Sequence, residues 1–193
     1  MIKRNPSFEL QKHLSSNWAN DDAFLTAVFN ALSISFPKGE KFFMNSVRAF
    51  KDEVNTEMSE EIRIFCIQEA THTREHIKYN KLLCELKGYD VEQLESIFAK
   101  KLEKSYSPKV DNKIRLAITT AMEHITASMG ASMLKGNLVK SDNPVADMWK
   151  WHSLEEVEHK SVAYDVYKAV NGSDKVMRIV MKLALIDMIH ANT

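Results

Sequence analysis

Two short stretches, Glu69-Ala-Thr-His72 and His152-Ser-Leu-Glu155-Glu156-Val-Glu158-His159, restrict this chain more than anything else in it. Successive residues of an α-helix turn by about 100°, so Glu69, His72 and His76 fall within roughly 60° of one another, and His152, Glu156 and His159 do the same on their own segment. Each segment therefore presents one edge of carboxylate and imidazole. Such edges are costly to bury unless a cation neutralises them. Dinuclear metal sites in four-helix bundles use this pattern, with a Glu-x-x-His unit on each of two helices and a single Glu on each of the other two. The chain must then provide two further helices, each with one inward glutamate.

With five Gly, four Pro and 45% hydrophobic residues in 193, the composition fits one mostly helical domain spanning 1–193. Asn20-Asp21-Asp22 predicts a cap for a helix from Ala23 to about Ser35 that Pro37 ends, with a second, short helix starting near Gly39. A long helix from Ser59 to Gly88 carries the first motif, and a shorter one covers Asp90 to about Lys104. Ser105-Tyr-Ser-Pro108 breaks the chain before a long helix from Asp111 to about Lys135, which Gly136 closes. Ser141-Asp-Asn-Pro144 starts the helix of the second motif, predicted to reach Gly172, and a last helix fills Asp174 to about Ala191. Apolar–polar alternation is absent and Gly is too scarce for a phosphate loop. The expected fold is all-α, an antiparallel four-helix bundle core with additional shorter helices.

Glu123 is the first lone glutamate, set in the middle of an apolar run from Ile114 to Met129. Glu40, between Pro37-Lys-Gly39 and the apolar Phe42-Phe43-Met44, is the second; its rivals Glu53 and Glu57 lie among Lys51, Asp52 and Asn55 and read as solvated surface. His76 and His124 are surplus, either replacement ligands, hydrogen-bond partners of ligands or proton carriers. Glu155 is a candidate to back up a ligand, whereas Glu158 reads as facing solvent or Lys160. Trp149 and Trp151 either wall a pocket or pack the core, and small residues near Glu123, Ala127 and Gly130 leave room for a substrate or for close helix packing. Cys66 and Cys84 fall on one helix about 27 Å apart along its axis and cannot bond to each other. No serine or cysteine occupies a nucleophile-type turn.

Lys+Arg and Asp+Glu both number 26, so no net charge recruits nucleic acid or an anionic membrane. The start lacks a signal-peptide core and no apolar run is long enough to span a bilayer, which places the chain in the cytoplasm. An apolar stripe of Val176, Ile179, Val180, Leu183 and Ile186 in the last helix packs on the bundle, forms a homodimer face or docks on a membrane surface.

The blocks Phe36-Pro-Lys-Gly-Glu-Lys-Phe-Phe43, Gln68-Glu-Ala-Thr-His-Thr-Arg-Glu-His76, Met122-Glu-His-Ile-Thr-Ala127 and Trp151-His-Ser-Leu-Glu-Glu-Val-Glu-His159 together resemble the bacterial family of predicted metal-dependent hydrolases, over about residues 5 to 172. The resemblance implies a ferritin-like bundle, with a C-terminal part absent or shortened here. The order Glu40, Glu69, His72, Glu123, His152, Glu156, His159 is also similar to that of the p-aminobenzoate N-oxygenase type of di-iron enzyme, which implies a third histidine on one metal. Four carboxylates and three imidazoles suit two iron ions, with manganese, a mixed manganese–iron pair or zinc as alternatives. The expected function is a dioxygen-activating oxidase or oxygenase that acts on a small organic substrate beside Ala127 and Gly130 and draws on an electron donor. The alternatives are a metal-dependent hydrolase, and a ferritin-like iron store or ferroxidase that would need a closed shell of subunits.

Overall fold

The computed structural model describes residues 1–107, 109–136 and 138–190, with no account of the side chains at 101, 104, 106 and 188–190. Among the described residues there is no strand, and the helices are α1 (Ala23–Arg48), α2 (Thr56–Lys87), α3 (Val91–Tyr106), α4 (Asn112–Leu134), α5 (Pro144–His159), α6 (Val162–Ala169) and α7 (Asp174–His190). Cap chemistry sets most of these bounds. Side chains of Asp22, Asn55, Asp90 and Asn143 accept from the amides of Leu25, Met58, Gln93 and Val145, and Gly88 takes the left-handed conformation just past α2. Because Asn55 takes the cap, α2 begins three residues ahead of Ser59. Pro108 and Ala191, expected in a break and at a helix end, lie outside the described residues.

Pro37 does not end the first helix. α1 runs through it to Arg48, so the short helix expected from Gly39 is the second half of α1. Proline lacks the amide proton that would reach the carbonyl of residue 33. Asn80 of α2 supplies the missing donor: its Nδ2 donates to the Ser33 carbonyl oxygen at 2.9 Å, and Ser33 Oγ donates back to Asn80 Oδ1 at 2.6 Å. The freed carbonyl is buried but satisfied.

Two apolar clusters bracket a polar layer. One contains Leu14, Trp18, Phe29, Tyr79, Leu83 and Trp149; the other contains Phe42, Phe65, Leu116, Val162, Val166 and Tyr167. Along α1 and from α5 into α6 the chain passes from the first cluster to the second, whereas α2 and α4 run from the second to the first. Hence α1 and α2 are antiparallel, α4 and α5 are antiparallel, and α2 and α4 run in the same sense. That order needs one long crossover, which the segment containing α3 provides while packing on α1 and α2. On each long helix the Glu and His positions fall between the two clusters, so they arrive at one level of the bundle.

The helix of the second motif is shorter than expected. It stops at His159, and α6 resumes at Val162 to pack Val162, Ala163, Val166 and Tyr167 into the second cluster. Lys160 and Ser161 keep right-handed helical dihedrals, so the interruption is a local jog that no Gly or Pro announces. α7 packs on α4, with Val176, Met177 and Val180 against the second cluster. Among the described residues no helix is long and apolar enough to cross a membrane.

Asn80→Ala is expected to lower stability by about 1–3 kcal/mol, the cost of stranding the buried Ser33 groups, as read from urea denaturation. In a Pro37→Ala background residue 37 regains an amide for Ser33, and the same change should cost clearly less. An equal cost in both backgrounds would refute this account of how α1 passes its proline.

Candidate metal centre

Glu40 comes from α1, Glu69 and His72 from α2, Glu123 from α4, and His152, Glu156 and His159 from α5. All seven meet in the polar layer, and none is more than 4% exposed. Bulk water cannot solvate them there. Ligand-type atoms of Glu69, His72, Glu156 and His159 all lie within 4.8 Å of one another, and so do those of Glu40, His76 and His152.

Hydrogen bonds from outside the cluster decide which imidazole nitrogens face inward. His72 Nε2 is 3.0 Å from Glu155 Oε2, and Glu155 in turn accepts from Arg4 at 3.1 Å. The proton of His72 therefore sits on Nε2, leaving Nδ1 bare, 3.6 Å from Glu156 and 3.9 Å from Glu69. His159 donates from Nδ1 to Glu123 Oε2 at 3.1 Å, so its Nε2 faces inward, unpartnered, 3.2 Å from Glu69 Oε1 but out of hydrogen-bonding geometry. For His152 the chain of bonds is longer. Asn80 Nδ2 is committed to the Ser33 carbonyl, so Asn80 Oδ1 takes the only Ser33 hydroxyl proton, and Ser33 Oγ must accept from His76 Nδ1 at 2.8 Å. His76 Nε2 is then bare and accepts from His152 Nδ1 at 2.8 Å, which turns His152 Nε2 into the cluster, where it meets Glu156 Oε1 at 3.0 Å.

Three imidazoles and four carboxylates thus converge with more acceptors than donors: Glu123 is paired with His159, Glu156 with His152 and Glu40 with Thr73, and other acceptors are left over. Both oxygens of Glu69, Oε1 of Glu40 and Glu123, Oε2 of Glu156, Nδ1 of His72 and Nε2 of His159 are buried with no hydrogen-bond partner. Acceptors held against acceptors in a dry interior demand protons or cations between them. The donor set and its closeness fit metal ions, with Glu155, His76 and Glu123 holding the far side of each imidazole as metal-site histidines are usually held.

The electrostatics agree. Burial, then the neighbouring Glu156, Glu123 and Glu40, pushes the Glu69 carboxyl far above its usual range. Burial likewise raises Glu40 well above that range, against the hydrogen bond from Thr73, and raises Glu123 to about 7. At Glu156 burial is outweighed by the hydrogen bond from His152 and the positive potential of His159, His152 and His72, so its carboxyl is held below the ordinary value. Burial, followed by the charge of His152, drives His72 and His76 well down. His159 goes the other way, because the charge and hydrogen bond of Glu123 outweigh burial.

The structure sorts the remaining sequence candidates. Glu53 and Glu57 are exposed, which leaves Glu40 as the glutamate of α1 in the cluster. His124 is also exposed, on the outer side of α4, and has no part in the site. Glu158 pairs with neither solvent alone nor Lys160: Arg4 grips it at 2.6 and 2.9 Å, and Gln68 donates to it at 3.1 Å. Arg4, Ser33, Thr73 and Asn80 have supporting roles that no local motif signalled. Glu75, equally buried on α2, is turned toward Arg74 and Lys78. Cys66 and Cys84 are both buried and unbonded to each other.

An apolar cavity of about 880 Å³ opens beside the cluster, with Glu40, His152 and Glu156 on its wall. Trp149 both lines it and packs in the first apolar cluster, whereas Trp151 packs in that cluster and against His72. Gly130 reaches the cavity, but Ala127 does not; a Cβ at Gly130 would stand 2.8 Å from the Ser153 carbonyl, so this glycine also permits the close approach of α4 and α5.

An all-helical bundle enclosing carboxylates and imidazoles that could hold metal is the class defined by this fold and site. The chain belongs to the family described as predicted metal-dependent hydrolase, whose model matches residues 2–193. No curated protein and no solved structure matches it.

Glu155→Leu, which removes the acceptor behind His72 at similar volume, is expected to weaken metal binding about 10- to 100-fold in equilibrium dialysis. Leu154→Ala, at the exposed neighbouring position, should leave binding unchanged. Equal affinities for all three proteins would count against the role given to Glu155.

Proposed function

We propose that the cluster holds two metal ions, iron by preference, and that the protein is a di-iron oxidoreductase that activates dioxygen to oxidise a small organic substrate. One observation carries this reading: four buried carboxylates and three imidazoles converge, leave unpartnered atoms on Glu40, Glu69, Glu123, Glu156, His72 and His159, and open onto a cavity whose described lining has Lys87, an exposed residue, as its lysine. Glu40, Glu69, Glu123, Glu156, His72, His152 and His159 would be the ligands, an oxygen-rich set with imidazole that suits iron or manganese. Two ferrous ions held there would supply the electrons with which dioxygen is activated. The protein's own part is to fix the donors and keep water out. Arg4 and Glu155 hold His72; Ser33 and His76 hold His152; Phe36 lies against the rings of His76 and His152 with centroids 4.8 and 4.9 Å away. An external electron donor completes the turnover.

Hydrolysis is the second reading, and the family's description favours it. A metal ion would then activate water and polarise an ester, amide or phosphoester, for which zinc suffices. The apolar wall weighs against this chemistry, because the anionic transition states of acyl and phosphoryl transfer are usually stabilised by further donors or cations. Iron storage requires a shell of many subunits, and a small oligomer on size-exclusion chromatography would remove it.

Anaerobic loading should give about two ferrous ions per chain, followed by a transient visible chromophore and rapid dioxygen uptake on mixing with oxygen. Silence with iron, together with ester cleavage by the zinc-loaded protein, would transfer the assignment to hydrolysis. Glu69→Gln offers a separate test with opposite signs for stability and binding. Removing a buried carboxylate that its neighbours repel should raise the melting temperature of the metal-free protein, while the metal-dependent rise in melting temperature seen for wild type should disappear. A mutant melting lower than wild type in both states would contradict the proposed repulsion.

A further inference from the structure

α1 carries small residues at every fourth position from Ala23 through Ala27, Ala31 and Ser35 to Gly39, and all five line the cavity. Positions four apart form one ridge of a helix, and sixteen residues rise about 24 Å. Exposure falls along the ridge: the three alanines are exposed, Ser35 is half-buried and Gly39 is buried. Facing it are Leu94 and Phe98 of α3, Met122 and Met129 of α4, and Trp149 of α5. The lining therefore forms a channel with a small-residue floor and apolar walls, open to solvent along residues 23–31 and closing over toward Gly39.

The inner end has a different chemistry. Glu40 and Glu156 line it, each 4% exposed or less, and each keeps one carboxylate oxygen with no partner, Oε1 and Oε2 respectively. Of the other ionisable groups on the described lining, His152 is buried at the same inner end, and Lys87, Tyr89 and Asp187 are exposed. A ligand that matches this distribution has an uncharged, unbranched body and one polar terminus. The cavity's volume of about 880 Å³ is near the upper end of small-molecule pockets, roughly 300–1,000 Å³.

The geometry points to a linear aliphatic substrate, a chain carrying a single terminal oxygen function, bound along the Ala23–Gly39 ridge with its oxygen end at Glu40, His152 and Glu156. This inference rests on the proposed metal reading for the identity of the inner end, but not for the channel. A Cβ at Gly39 would make ordinary contacts, 3.9 Å to Phe98 and 4.0 Å to Phe43, so the backbone there tolerates a Cβ, and a longer side chain would extend into the channel beside Glu40.

The test uses 11-(dansylamino)undecanoic acid, with the three tryptophans, Trp149 on the lining among them, as fluorescence donors, displaced by straight-chain alcohols of six to fourteen carbons. Both metal-free and zinc-loaded protein are titrated, and zinc uptake is measured on the same samples. Each added methylene should tighten displacement about three- to fourfold, as expected from about 0.8 kcal/mol per buried CH₂. Gly39→Leu should weaken the longer chains at least tenfold with zinc uptake and melting temperature unchanged. Ala31→Phe, at an exposed position nearer the mouth, should do the same and guards against a folding defect in the first variant. Wild type that takes up zinc but shows no chain-length dependence, or folded variants that bind as wild type does, would overturn the inference and leave the metal reading standing. Length-dependent binding without zinc uptake would support the channel and remove the metal reading.

Discussion

Lone pairs facing lone pairs in a dry interior are the constraint around which this protein is built. Glu69 has no hydrogen-bond donor for either oxygen, and unpartnered nitrogens of His72 and His159 lie 3.9 and 3.2 Å from it. Left alone, such a cluster favours neutralisation by protons, which is why the carboxyls of Glu40, Glu69 and Glu123 are pushed upward. Apolar clusters above and below contribute the stability that tolerates it. The bundle is therefore organised as two ordinary hydrophobic cores with an expensive polar layer between them, a division that makes sense if cations occupy the layer.

The same side chains that close the fold also orient the donors. Asn80 repairs the gap left by Pro37 and, through Ser33 and His76, fixes the tautomer of His152. Arg4 ties the N-terminal segment to α5 and, through Glu155, fixes that of His72. Fold and site cannot be altered separately at these positions. They are rigid connections between helices distant in sequence, which is what a preorganised ligand set needs.

Sequence spacing exposed much of this and concealed the rest for physical reasons. The edges of α2 and α5 were readable because each lies on one helix, where the turn per residue fixes which side chains share a face. Glu123 stood out as a charge within an apolar run, and Glu40 as one beside aromatic residues. Continuity through Pro37 was not readable, since its substitute donor, Asn80, is on another helix. That misplaced break also hid the channel, because the ridge from Ala23 to Gly39 exists only if α1 is continuous. The jog after His159 is silent because Lys160 and Ser161 have ordinary side chains and helical dihedrals. Arg4 is far from Glu155 in sequence, beyond the reach of any local pattern. His124 misled because adjacency to Glu123 in sequence places it about 100° away on the helix, on the solvent side.

Anomalous diffraction from crystals of protein purified without chelator, recorded at the iron, manganese and zinc edges, addresses the central claim most directly. Two peaks within the space enclosed by Glu40, Glu69, Glu123, Glu156, His72, His152 and His159 are the predicted result, and the edge at which they appear names the metals. A well-ordered cluster whose glutamates and histidines hydrogen-bond to one another, with no peak at any edge even after soaking in ferrous iron, would contradict the account.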